Sequence, residues 1–147
     1  LERETYLAGD AFSEDWIRQV RTEFPDAPIL VTAGGLFHYF EKNKVVALLR
    51  TMGQFGNMEV VFDTVNKRGM TMMKKKYMKQ VGHADAQMFF YVDSAEELAA
   101  KIGGNVKVIA EEPYYRYIPK NGLKLSTKVS MTVSDQFKMV KMIHLKL

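Results

Sequence analysis

Two short runs constrain this chain more than any other feature: Tyr6-Leu-Ala-Gly-Asp10-Ala-Phe-Ser-Glu-Asp-Trp16-Ile and Ile29-Leu-Val-Thr-Ala-Gly-Gly-Leu-Phe-His-Tyr-Phe40. Each is an apolar stretch that ends in small or acidic residues just before an amphipathic segment. That is the pattern of a buried parallel strand handing a ligand loop to the carboxyl edge of a sheet. Two such units in succession predict an α/β sheet with a crevice.

The rest of the chain extends the alternation. Thr5 to Ala8 reads as a short strand, and Ser13 as the N-cap of a helix over Glu14 to Glu23 that Pro25 and Pro28 end. Ile29 to Thr32 has the β-branched, apolar composition of a strand buried on both faces, and Ala33-Gly34-Gly35 permits close approach of backbone and ligand. A helix follows from Glu41 to Phe55. Met58 to Val65 reads as another central strand with Asp63 at its carboxyl end, and Lys67 to Val81 as a helix that Gly82 stops. Ser94 to Glu97 is a capping box before a short helix at Leu98 to Ile102, closed by Gly103 and Gly104. Val106 to Ala110 predicts a strand, Glu111 to Pro119 an aromatic loop, and Leu123 to Gln136 a helix weakened by threonine, serine and valine. Lys138 to Leu147 alternates and predicts a last, less buried strand. No repeat or linker interrupts residues 1–147, which read as a single domain.

Composition narrows the function classes. With 47% hydrophobic residues the 147-residue chain can build one core, and with no cysteine it has neither disulfides nor thiolate chemistry. No signal-like or membrane-spanning apolar segment is legible, so the expected location is cytoplasmic, with no membrane partner. The net charge of +4 is spread out except at Lys74-Lys75-Lys76, which reads as a solvated helix face rather than a nucleic-acid site. HExxH, GxSxG and phosphate-loop patterns are absent, and neither His83 with Asp85 nor Asp63 makes a metal set.

The two loops, Phe62-Asp63 and the carboxyl-terminal strand resemble class I S-adenosylmethionine (SAM) methyltransferases, in particular the leucine carboxyl methyltransferase group and its TcmP-like polyketide O-methyltransferase branch. The likeness runs over essentially the whole chain and corresponds to the carboxyl-terminal two-thirds of that family. It implies a three-layer Rossmann-like sheet, mostly parallel with an antiparallel last strand, lacking here its first two strands. The glycine-rich loop and the ribose-binding acid of the family would precede Leu1, so a piece of a longer protein is expected, inactive alone, with an unpaired edge favouring strand exchange or a homodimer.

By position, the resemblance gives SAM contacts to Asp10, Ala11 and Phe12 at the adenine, and to Ala33, Gly34 and Gly35 beneath the methionine moiety. Gly34 stands where the carboxyl methyltransferases commonly carry an acid, which favours the TcmP-like branch. The alternative reading of Asp10 is a cap of the following turn. His38, on the loop bordering the methyl group, is the candidate general base, against a histidine bonded into the scaffold. Phe37, Tyr114, Tyr115 and Arg116 are candidate acceptor contacts, a cation among aromatics suiting a phenol or carboxylate, although the tyrosines could equally cover the sheet edge. Met70, Met73, Phe89 and Phe90 are core or lid residues. The expected activity is SAM-dependent O-methylation of a small-molecule acceptor, with a non-catalytic interaction module as the alternative and nucleic-acid binding last.

Overall fold

The computed structural model describes residues 4–80 and 87–147. In chain order the elements are α1 (Asp15–Glu23), β1 (Ile29–Ala33), a 3-10 turn (Phe37–Tyr39), α2 (Lys42–Gln54), β2 (Met58–Val65), α3 (Lys67–Gln80), α4 (Ala95–Ile102), β3 (Lys107–Pro113), α5 (Leu125–Gln136) and β4 (Val140–Lys146). The strands form one sheet in the order β1-β2-β4-β3, with β1 parallel to β2 and β4 antiparallel to both of its neighbours. A crossover helix between β1 and β2 puts both carboxyl ends on one edge of the sheet.

Period-two alternation decides what faces the core. Met58, Val60 and Phe62 of β2 and Ile143 and Leu145 of β4 are fully buried against Val45, Leu49 and Met52 of α2, Leu98 and Ile102 of α4 and Ile17 of α1. Each such side chain contributes about 1.5–3 kcal/mol by leaving water. The Arg50 guanidinium donates to the Ile102 and Lys101 carbonyls at 2.9 Å each, so α2 also satisfies the end of α4. The opposite face carries Leu30 and Thr32, both exposed, and a 2.7 Å pair between His144 Nε2 and Glu59.

Several sequence expectations change here. Thr5 to Ala8 is not a strand but an exposed segment, because among the described residues no strand lies beside it to take its hydrogen bonds. β1 is not buried on both faces: it pairs on one side only, and Leu30 is 58% exposed. The last strand is not peripheral. It sits between β2 and β3, with Lys141, Ile143 and Leu145 essentially buried. β3 runs on to Pro113, so the first residues of the expected aromatic loop belong to the sheet. Phe90 and Met70 are core side chains, whereas Phe89 is 42% exposed. Gly82, His83 and Asp85 lie outside the described residues.

A bulge in β3 has a consequence for polar chemistry. The register with β4 shifts between Val108 and Ala110, leaving Ile109 as the extra residue. One inserted residue reverses the phase of the strand, so Val108 and Glu111 share the core face although three positions apart. Glu111 thereby meets the buried Lys141 ammonium at 2.5 Å.

Candidate functional site

The segment 10–16 folds on its own contacts. Asp10 Oδ1 accepts from the Phe12 amide at 2.9 Å and the Asp10 carbonyl accepts from Ser13 N at 3.0 Å, an Asx turn. Ser13 Oγ accepts from Asp15 N at 3.2 Å, but Ser13 is not the N-cap its sequence suggests: α1 starts one residue later, and its N-cap, Glu14, makes no side-chain cap bond. Trp16 Nε1 donates to the Ala11 carbonyl at 2.9 Å, locking the indole against the loop. Asp10 Oδ2 stays uncommitted among the described residues.

A cavity of about 490 Å³ opens beside this loop, between α1, α2 and the edge strand β1. Asp10, Ala11, Trp16, Ala33, Leu36, Phe37, Leu48 and Met52 are among its walls. That size falls within the usual range for a small-molecule site. One carboxylate oxygen among apolar walls can accept from an amino group of a flat ligand while the walls exclude water. The sequence indicated Asp10, Ala11, Ala33 and Phe37; it gave no reason to add Trp16, Leu48 or Met52. The last two sit at a spacing of four on α2, indistinguishable from core positions by pattern.

The remaining candidates lie elsewhere. Phe12 packs on Phe40 with ring centroids 4.2 Å apart, and the Lys44 ammonium stands 4.7 Å over the Phe12 ring. Phe37 is 2% exposed and meets Phe62 and Phe90 edge-on at 5.2 and 5.9 Å. Gly34 and Gly35 are exposed at the carboxyl edge of the sheet and do not line the cavity. Tyr114, Tyr115 and Arg116 follow β3 along the same edge, about 14 Å from β1 at three strand spacings. Tyr114 and Tyr115 stack edge-on at 5.2 Å, and the Tyr115 amide donates to Asp135 Oδ1 at 3.0 Å. Arg116 donates to Glu112 at 2.5 Å, which holds the exposed guanidinium above its usual pKa.

His38 is 5% exposed and is not a cavity wall. Its Nε2 lies 3.1 Å from Asp63 Oδ2, while Asp63 Oδ1 accepts from the Gly35 amide at 2.6 Å. Burial pushes the Asp63 carboxyl up, but the His38 and Gly35 hydrogen bonds outweigh it and hold the group below its ordinary value. An ionised carboxylate only accepts, so His38 Nε2 is the donor; Nδ1 is buried and unpartnered among the described residues. The sequence drew attention to His38 and Asp63 separately. Nothing in it joins two residues 25 positions apart.

Among the described residues no cluster of three histidines or carboxylates could hold a metal, and no helix is long and apolar enough to cross a membrane. No family model and no curated protein matches the sequence. In three dimensions the chain is similar to the crystal structure of a SAM-dependent methyltransferase from Anabaena variabilis ATCC 29413, with a TM-score of 0.54 and 13% sequence identity. The likeness covers 97% of this chain and 58% of that one. The chain thus has an α/β fold, with a mixed four-stranded sheet, of the kind found in a SAM-dependent methyltransferase.

Proposed function

We propose that this chain forms part of a SAM-dependent O-methyltransferase of the TcmP-like branch of the leucine carboxyl methyltransferase group, acting on a hydroxyl or carboxyl of a small, aromatic or polyketide-like metabolite. The observation that carries this reading is the cavity walled by Asp10, Ala11 and Ala33 on a methyltransferase-like fold. These residues fit the cofactor in one respect: Asp10 Oδ2 is uncommitted and can accept from an adenine amino group, and Trp16, Leu36 and Met52 offer apolar walls. Glycine at position 34, in place of an acid, is the feature that favours the TcmP-like branch.

When bound, the cofactor supplies an electrophilic methyl group on a sulfonium. What this chain then contributes is alignment and the exclusion of water. The Asx turn and the indole bond to Ala11 preset the purine side of the cavity before any ligand arrives. A carboxylate acceptor needs no base; for a hydroxyl acceptor the His38 ring, buried and outside the cavity walls, is better placed to hold its loop than to take a proton. Tyr114, Tyr115 and Arg116 enter as an acceptor-side wall at the far end of the carboxyl edge.

Isothermal titration with S-adenosylhomocysteine tests the reading. Saturable binding that Asp10→Ala weakens about tenfold, the value of one hydrogen bond to a charged group, is expected. Absence of binding both by this chain and by a longer protein that carries it would overturn it and favour the non-catalytic module, a reading that gains from the aromatic packing of Phe12, Phe37 and Phe40 beside the cavity.

A further inference from the structure

We propose that Asp63 is a positioning residue of the carboxyl edge: it holds the loop after β1 in a ligand-ready shape through the Gly35 amide and the His38 ring. The inference rests on the methyltransferase reading for its functional meaning, but its geometry stands alone. Asp63 lies four positions before the start of helix α3 and points to the face of β2 opposite Phe62 and Thr64, which are fully buried. From there its two oxygens reach two points of one loop, Gly35 at 2.6 Å and His38 at 3.1 Å.

The loop needs such an anchor. Gly35 sits at φ +63°, a conformation that L side chains rarely adopt, so the backbone turn there is permitted by glycine but not enforced by it. A flexible glycine pair loses more freedom on ordering than any other dipeptide, and an external acceptor is what selects one shape. Both bonds end on an ionised carboxylate, the stronger class of hydrogen bond. On the other side the His38 carbonyl accepts from the Phe89 and Phe90 amides at 2.8 and 3.3 Å, so the same residue ties the loop to the segment before α4. His38 is consequently a bridge between β2 and that segment. Neither of its ring nitrogens reaches the cavity: one is spent on Asp63 and the other is buried.

A merely structural carboxylate would affect global stability alone. A positioning carboxylate changes the loop and the ligand affinity first. Amide hydrogen exchange of Gly35 in the ligand-free protein reads the loop, thermal unfolding reads the fold, and S-adenosylhomocysteine titration reads the consequence. Asp63→Ala is expected to speed Gly35 exchange and weaken binding, each about tenfold, with core amides of β2 and β4 little changed. Asp63→Asn, which keeps an acceptor for Gly35 but presents an amide to His38, should fall between the wild type and Asp63→Ala, and remains informative if Asp63→Ala does not fold. His38→Gln, whose amide can still donate, should weaken binding less than His38→Ala.

Gly35 exchange and ligand affinity both unchanged in Asp63→Ala, or in Asp63→Asn where Asp63→Ala does not fold, or acceleration shared equally by every amide, would overturn the proposal. Failure of both this chain and a longer protein that carries it to bind S-adenosylhomocysteine would instead sink the methyltransferase reading, and the Gly35 exchange would still decide the role of Asp63.

Discussion

Asp63 and Glu111 use the same chemistry for different ends. Each is a carboxylate near the carboxyl end of a strand, accepting from one backbone amide and one basic side chain: Gly35 N and His38 for Asp63, Ala95 N and Lys141 for Glu111. Glu111 anchors the first residue of α4, and Lys141, 1% exposed, also donates to the Asp93 carbonyl at 2.9 Å. Asp93 in turn accepts from Lys67 N at the start of α3 through its side chain. One buried ammonium therefore organises two helix starts and two strands. Asp63 organises only a glycine loop at the edge where a ligand would arrive. A carboxylate that ends on a helix start serves the fold; one that ends on a glycine turn serves the shape of a site.

The comparison breaks most severely at Lys141. Replacing it with methionine strands Glu111 and the Asp93 carbonyl, and the expected loss is about 3 kcal/mol in denaturant unfolding, the usual cost of removing one partner of a buried pair. An unfolding midpoint close to wild type would mean that the pair adds little beyond what water could replace.

A milder perturbation is acid. Burial raises the Glu111 carboxyl, but the Lys141 bond and the Ala95 amide outweigh it, so the folded-state value lies below the ordinary 4.5. A depressed carboxylate contributes stability that is full above its unfolded value and is lost as pH falls through the folded one. Asp63, depressed from 3.8, behaves in the same sense. Stability should therefore decline as pH drops below about 4.5. In Glu111→Gln the slope in that window should be shallower and the plateau above it lower. An identical slope in the variant would remove Glu111 from the titration. The smaller stability effect belongs to Asp63→Asn, about 1 kcal/mol, because one acceptor survives and the side chain is 18% exposed. A loss as large as that of Lys141→Met would erase the distinction between the two carboxylates.

Local chemistry was legible in the sequence; what depends on distant partners was not. The bounds of β2 follow from its composition, and Ser94 accepts from Glu97 N as its capping box requires, although α4 starts at Ala95. Thr5 to Ala8 reads as a strand from local composition, but among the described residues no strand pairs with it. The alternation of β4 was visible, but not its place between β2 and β3, since order in a sheet is set by long-range pairing. Lys141 looks like an ordinary solvent-facing position in that alternation. Its burial depends on Glu111, thirty residues away and turned inward by a bulge that no local pattern reveals. For the candidate site, the two loops and their small residues were readable, but not the partnership of His38 with Asp63.

Gly34 offers the finest test of what kind of loop Asp63 holds. A Cβ built there meets nothing within 4 Å and the residue is exposed, so a side chain can be added without clash. Gly35, beside it, has equal room but a positive φ that strains any substitution. Gly34→Glu should thus leave stability within about 0.5 kcal/mol, as a surface change does, whereas Gly35→Ala should cost about 1 kcal/mol or more. If the loop underlies the methionine moiety of SAM, the acid introduced by Gly34→Glu supplies an acceptor for the cofactor's amino group. S-adenosylhomocysteine affinity should then rise several-fold, and more so at low salt because the contact is ionic. Tighter binding that disappears when Asp63→Asn is added would tie the two residues to one loop shape. Unchanged affinity in Gly34→Glu would place the amino group elsewhere and leave the Asp63 loop as a scaffold around the cavity.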